Sequence, residues 1–137
     1  MGKPLKLTVS ARGEQLAVIG DFVTAAARQA GLTERAIYHV QTAVDEACAN
    51  IVYHAYDYEG QGTITLRCER RRNDFIITII DQGRPFDPAS VQEPNLDARL
   101  EERREGGLGR YLMQALMDEV RHEFTHDANV LTMVKHI

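Results

Sequence analysis

The stretch Val44-Asp45-Glu46-Ala47-Cys48-Ala49-Asn50-Ile51-Val52-Tyr53-His54 sets the fold and poses the functional question. Ile37, Val40, Val44, Ala47, Cys48, Ile51 and Ala55 recur at steps of three and four, which predicts a helix with one apolar stripe. At about 100° per residue, Glu46 and Asn50 project nearly opposite that stripe and stand one turn apart. Ala43 and Ala49 flank them, so little bulk is expected beside the two polar groups. A carboxylate and an amide so placed are either a solvated surface or the floor of a ligand site.

Upstream, Leu5, Leu7 and Val9 alternate with Lys6 and Thr8, predicting a short half-buried strand. Leu16, Ile19, Val23, Ala27 and Ala30 form a helical stripe within Glu14 to Ala30, closed by Gly31 as C-cap. Thr33 is an N-cap for the next helix, with Glu34 in its first turn, and that helix runs to about Tyr56. Asp57 to Gly62 is a polar turn.

Downstream, Ile64, Leu66 and Cys68 alternate with Thr63, Thr65 and Arg67, and Arg70 to Asp74 reads as a hairpin connection. Phe75-Ile76-Ile77-Thr78-Ile79-Ile80 is apolar on both parities, as expected of a strand covered on both faces. Pro88 to Glu105 lacks periodicity and has Pro94 in its middle; it reads as a long functional loop with a short helix at Leu96 to Arg104. Gly106-Gly107-Leu108-Gly109 opens a helix with the stripe Leu108, Leu112, Ala115 and Leu116. Val120 to Phe124 and Val130 to Val134 form a closing hairpin turned at Asp127-Ala128-Asn129. This order predicts an α+β sandwich, one mixed or antiparallel sheet with helices on one face, in a single domain spanning residues 1–137.

The 137 residues carry a formal net charge of −4, which argues against nucleic-acid binding as the main function. No run approaches the roughly 20 apolar residues of a membrane span and no secretory leader opens the chain, so a soluble, cytoplasmic protein is expected. Cys48 and Cys68 lack metal-ligand spacing and sit in apolar patterns, as buried reduced thiols do.

Three polar clusters fall at the ends of core elements. Glycines at the start of a helix let backbone N–H groups and the positive dipole end approach a phosphate, though the same residues also make a plain hinge. Asp81, just after an apolar strand, needs a donor, either turn amides or the amino group of a purine with Gly83 making room for the base. Asn50 is a hard oxygen ligand suited to Mg²⁺, and Glu46 could deprotonate a hydroxyl that attacks a γ-phosphate.

Together, in this order and at these distances, the clusters resemble the GHKL ATPases, and within them the anti-sigma-factor serine kinases of the RsbW and SpoIIAB type. Glu46-Ala47-Cys48-Ala49-Asn50 with His54-Ala55-Tyr56 is similar to the family's N-box. Asp81-Gln82-Gly83-Arg84-Pro85-Phe86-Asp87 is similar to its first glycine box and Gly107-Leu108-Gly109 to its second. The resemblance implies a Bergerat-type two-layer α/β sandwich with a mixed sheet and an ATP lid at about 88–105. It implies ATP and Mg²⁺ as cofactors, Glu46 as catalytic base and Asn50 as metal ligand. Asp81, Gly83, Pro85 and Phe86 would form the base pocket, and Gly106, Gly107, Leu108, Gly109 and Arg110 would hold the phosphates. Asn129 or Thr132 would support adenine, and His54 falls near the pocket. Pro85 departs from the family by standing where many members have a second glycine.

The implied activity is a protein serine/threonine kinase that phosphorylates a small anti-sigma antagonist protein, sequesters a sigma factor or similar regulator, and works as a homodimer without nucleic acid or membrane. The competing reading is a non-catalytic, nucleotide-sensing module that binds the same kind of partner; Glu46 at the base position favours the kinase. A histidine kinase is disfavoured, since His39 lies inside the second helix and not in a dimerisation domain.

Overall fold

The alternating segments assemble into one sheet in the computed structural model, which describes residues 3–85 and 108–137. The strands are β1 (Leu5–Ser10), β2 (Thr63–Arg71), β3 (Asp74–Asp81), β4 (Glu119–Thr125) and β5 (Ala128–His136). Among the described residues their order is β1-β2-β3-β5-β4, and every neighbouring pair is antiparallel. The expectation of a mixed sheet is thereby corrected to an antiparallel one. The physical reason lies in the last hairpin. Its apolar member, β5, takes the interior place beside β3, while β4, with Arg121 and Glu123, is left at the edge.

Among the described residues three α-helices accompany the sheet: α1 (Leu16–Ala30), α2 (Glu34–Asn50) and α3 (Leu108–Leu116). A single 3₁₀ turn, Gly13–Gln15, leads into α1. Gly31 ends α1 in the left-handed region at φ 96°, and the Thr33 hydroxyl accepts the Ala36 N–H at 3.2 Å to start α2. Both caps fall where the sequence put them. Arg70 adds a second tie, its guanidinium donating to the Ala30 carbonyl at 2.5 Å.

The core lies between the helices and one face of the sheet. Ile64, Leu66 and Cys68 of β2 and Phe75, Ile77 and Ile79 of β3 are buried against Ile19, Val23 and Ala27 of α1 and Val40, Val44, Ala47 and Cys48 of α2. The other face of β3 is not covered as expected: Ile76, Thr78 and Ile80 are half-buried. β3 is the central strand, and flanking side chains of β2 and β5 shield these isoleucines without a second layer. Among the described side chains of α3 Met113 is buried and Ala115 exposed, and Met117, just past the helix, is buried too, so the stripe is rotated from the expected one. Unbranched Met side chains adapt readily to such packing.

The closing hairpin turns at His126 and Asp127, both left-handed at φ 52° and 60°, rather than at 127–129. A two-residue turn of this hand matches the twist of the strands and returns Asn129 to the ladder opposite Asp81. Lys135, on the helix side of β5, donates to the Leu116 carbonyl at 2.5 Å and to His39 Nδ1 at 3.2 Å, tying α3 and α2 to the sheet. Among the described residues no helix is long and apolar enough to cross a membrane.

Because the αα turn sets how α2 lies on the sheet, its caps are testable by denaturant unfolding. Thr33→Ala is expected to lower stability by about 1 kcal/mol, and Gly31→Ala, forced to a positive φ, by at least as much.

Candidate functional site

Regular α-geometry stops at Asn50. Residues Ile51–Ala55 continue as a single π-turn, and Tyr56 then leaves in an extended conformation. Such insertions widen a helix and recur at functional sites. Nothing in the sequence signals this one, since no glycine or proline interrupts the run.

The π-turn delivers the Ala55 carbonyl to the segment that follows β3. It accepts the Arg84 N–H at 2.7 Å, and a Cβ on Gly83 would stand 2.7 Å from the Ala55 carbonyl carbon. Glycine at 83 is therefore a steric requirement, because the turn lies directly on the helix-end backbone. The backbones of the first glycine box and of the helix bearing Glu46 and Asn50 are in contact.

Asp81 is buried at the end of β3, paired in register with Asn129. Its Oδ1 accepts two hydrogen bonds, from the Gly83 N–H at 2.8 Å and from Asn129 Nδ2 at 3.0 Å. The same Asn129 amide donates to the carbonyls of Arg84 at 2.8 Å and Gly83 at 3.3 Å. None of these bonds goes to Oδ2. Burial pushes the Asp81 carboxyl above its ordinary value, and the Asn129 and Gly83 bonds pull the other way without cancelling it. Turn donors hold Oδ1, and among the described residues no hydrogen bond goes to Oδ2.

Asn129 and Thr132 were alternatives for the same role, and the ladder separates them. Asn129 joins Asp81 on the helix side, while Thr132 pairs with Thr78 on the opposite face of the sheet. Three residues along a strand invert the side-chain direction, so Thr132 lies on the opposite face of the sheet from Asp81.

Glu46 and Asn50 are both half-buried on α2, and neither side chain forms a hydrogen bond to the described residues. Burial, reinforced by the neighbouring Asp45, raises the Glu46 carboxyl above its ordinary value. Ala43 does not flank the pair on an open face, because it is fully buried in the core; Ala49 is half-buried beside Asn50. Between the two polar residues lies the buried Cys48, whose thiol is pushed far up by burial and further by the carboxylates of Asp45 and Asp81. Cys68 is pushed up to about 12 by burial, and both thiols are free.

The remaining predicted residues divide by position. Pro85 is exposed just beyond the turn. Phe86, Gly106 and Gly107, the loop at 88–105 and the short helix expected in it lie outside the described residues. Leu108, Gly109 and Arg110 form the first turn of α3, whose last carbonyls are anchored at Lys135, at the far end of β5 from Asn129. His54 is exposed on the π-turn. His39 is remote from the Asp81 turn, and burial, with Lys135 and Arg35, lowers its pKa.

The candidate site is thus Asp81 with its turn donors, the close packing at Gly83, and Glu46 and Asn50 on the helix that runs into the π-turn. The histidine kinase-like ATPase domain matches residues 9–135. Serine-protein kinase RsbW of Halalkalibacterium halodurans is 35% identical over 136 residues, which is 96% of this chain and 82% of that protein. An anti-sigma F factor of Caldanaerobacter subterraneus is 38% identical over 117 residues, 84% of this chain and 80% of that protein. The crystal structure of the RsbU and RsbW domains of a Mycobacterium tuberculosis protein superposes with a TM-score of 0.70 at 17% identity, covering 98% of this chain and 32% of that one, which shows a shared fold. With a match that spans nearly its whole length, the chain belongs to the histidine kinase-like ATPase domain family.

Proposed function

We propose that this protein is an ATP-dependent serine/threonine-protein kinase of the anti-sigma type, acting as a single domain in the cytoplasm. Its substrate would be a small antagonist protein, and it would bind a sigma factor or similar regulator and form a homodimer. The observation that carries this reading is the seating of the Asp81–Arg84 turn on the end of the helix that holds Glu46 and Asn50. Relatives named serine-protein kinase and anti-sigma factor, similar over most of their length, support the partner class.

In this reading Asp81 Oδ2 accepts the adenine amino group, Asn129 holds Oδ1 in place, and Gly83 lets the base lie close to the backbone. Pro85, Phe86, Gly106, Gly107, Leu108, Gly109 and Arg110 are assigned to the nucleotide by their motifs, with the 88–105 segment as lid. Thr132, on the far face, gives up its assignment to Asn129.

Among the described residues no group of three or more His, Cys, Asp or Glu side chains could hold a metal. Mg²⁺ takes few protein ligands and shares the rest of its coordination with phosphate oxygens and water. The Asn50 side-chain oxygen would hold it, and when bound it would offset charge on the transferred phosphoryl group. Glu46 would take the proton of the attacking serine hydroxyl. Its raised pKa makes it the stronger base, and phosphoryl transfer otherwise asks mainly for positioning.

Two measurements test these roles. Glu46→Gln is expected to lower transfer from labelled ATP to a serine-containing antagonist by about 10²–10⁴-fold with ATP binding retained. The base works deprotonated and its pKa lies above 4.5, so wild-type kcat should rise with pH through that higher value, and the variant should lose the rise. Unchanged transfer in Glu46→Gln would leave the non-catalytic, nucleotide-sensing reading.

For Asp81→Asn the amide oxygen can still accept from Gly83 and Asn129, but an amino group now faces the adenine amine. Calorimetry should show ATP binding weakened by about 1–3 kcal/mol. Stability moves the other way. A carboxyl whose pKa is raised on folding stabilises only below its unfolded value near 3.8, and that contribution is lost as pH rises through the folded value. At neutral pH the variant should therefore melt no lower than wild type.

A further inference from the structure

Tyr56 is the first residue beyond the π-turn, and its side chain is spent on the backbone around it. The hydroxyl donates to the Thr63 carbonyl at 2.8 Å and accepts the Gln82 N–H at 2.9 Å. Thr63 opens β2, and Gln82 directly follows Asp81, where the β3–β5 ladder has ended. One phenol therefore replaces the strand partner that Gln82 no longer has. The ring needs the room that Gly62 leaves, since a Cβ there would lie 2.7 Å from the hydroxyl and closer still to the ring. Backbone bonds at the same place run in parallel. The Arg84 N–H reaches the Ala55 carbonyl at 2.7 Å, and the Arg84 guanidinium reaches the Tyr56 carbonyl at 3.4 Å and Asp57 at 3.5 Å.

The turn is thus held from two sides. Asn129 grips Asp81 Oδ1 and the carbonyls of Gly83 and Arg84 from β5. Tyr56 grips Gln82 from the helix side. Burial raises the phenol pKa, so the hydroxyl keeps its proton and can donate and accept at once.

We propose that Tyr56 is a positioning residue for base recognition, which fixes the Asp81–Gly83 turn so that Asp81 Oδ2 faces an adenine amino group and rejects the carbonyl of a guanine. This rests on the nucleotide reading above and adds a specificity determinant to it. Selectivity of this kind comes from holding an acceptor where the wrong base also presents an acceptor, and a turn free to shift would let that clash relax. Tyr56 touches no nucleotide; it acts through Gln82 and Asp81.

The test is calorimetric titration of the full chain with Mg·ATP and Mg·GTP, comparing wild type, Tyr56→Phe and Gly62→Ala. Tyr56→Phe removes the hydroxyl and keeps the ring; Gly62→Ala keeps the hydroxyl and displaces the ring. Both should raise the ATP Kd by about tenfold and narrow the preference for ATP over GTP by a similar factor. A merely structural tyrosine would lower the melting temperature and leave that preference unchanged, so a preference within about twofold of wild type in the folded variants overturns the proposal. Should Tyr56→Phe fail to fold, Gly62→Ala carries the same expectation and the same power to refute. Wild type without preference for ATP would instead overturn the nucleotide reading and this inference with it, a result visible before any variant is made.

Discussion

A buried carboxylate at the end of the central strand is the constraint around which this molecule is arranged. Asp81 stands where β3 runs out, and burial opposes its charge. The chain answers with a turn that folds the Gly83 N–H back onto it and with an amide from β5. To make that turn the backbone must lie on the end of α2, which demands glycine at 83 and a widened π-turn at 51–55. The register that sets Asn129 opposite Asp81 and the glycine at 83 both serve this one group. A protein seeking only stability would have an apolar residue at 81. Keeping the carboxylate, with one oxygen committed and the other not, makes sense at a site that binds something.

Most of the fold was legible because its elements are strongly periodic. The stripes of α1 and α2, the Gly31 and Thr33 caps and the alternation in β2 depend on local pattern, and each falls where the pattern put it. What escaped depends on neighbours. The two-sided apolar pattern of Phe75–Ile80 suggested a second covering layer, whereas lateral shielding in a central strand suffices. The stripe of α3 was displaced by one residue because methionines, weak markers of periodicity, carry its packing. The sheet's direction turned on which arm of the last hairpin lay inside.

The site was legible as motifs but not as contacts. Glu46, Asn50, Asp81 and Gly83 could be picked out by type and spacing, yet nothing in that spacing shows a π-turn bringing Ala55 against Gly83. Nor could motif spacing decide between Asn129 and Thr132. The ladder sets Asn129 opposite Asp81 and Thr132 on the other face, through a hairpin turn that starts one residue earlier than composition suggested. Tyr56 is the plainest case of the difference. It appears in the sequence as the tail of a motif, and its work is visible only once Thr63 and Gln82 are found on either side of its hydroxyl.

The proposed function requires that Asp81 meet the base while the helix end carrying Asn50 meets the phosphates. A crystal structure of the protein with Mg²⁺ and a non-hydrolysable ATP analogue tests it most directly. The adenine amino group is expected within hydrogen-bond distance of Asp81 Oδ2, the base against Gly83, and Mg²⁺ on the side-chain oxygen of Asn50. A nucleotide bound elsewhere, or a base turned away from Asp81 with the metal off Asn50, would contradict it.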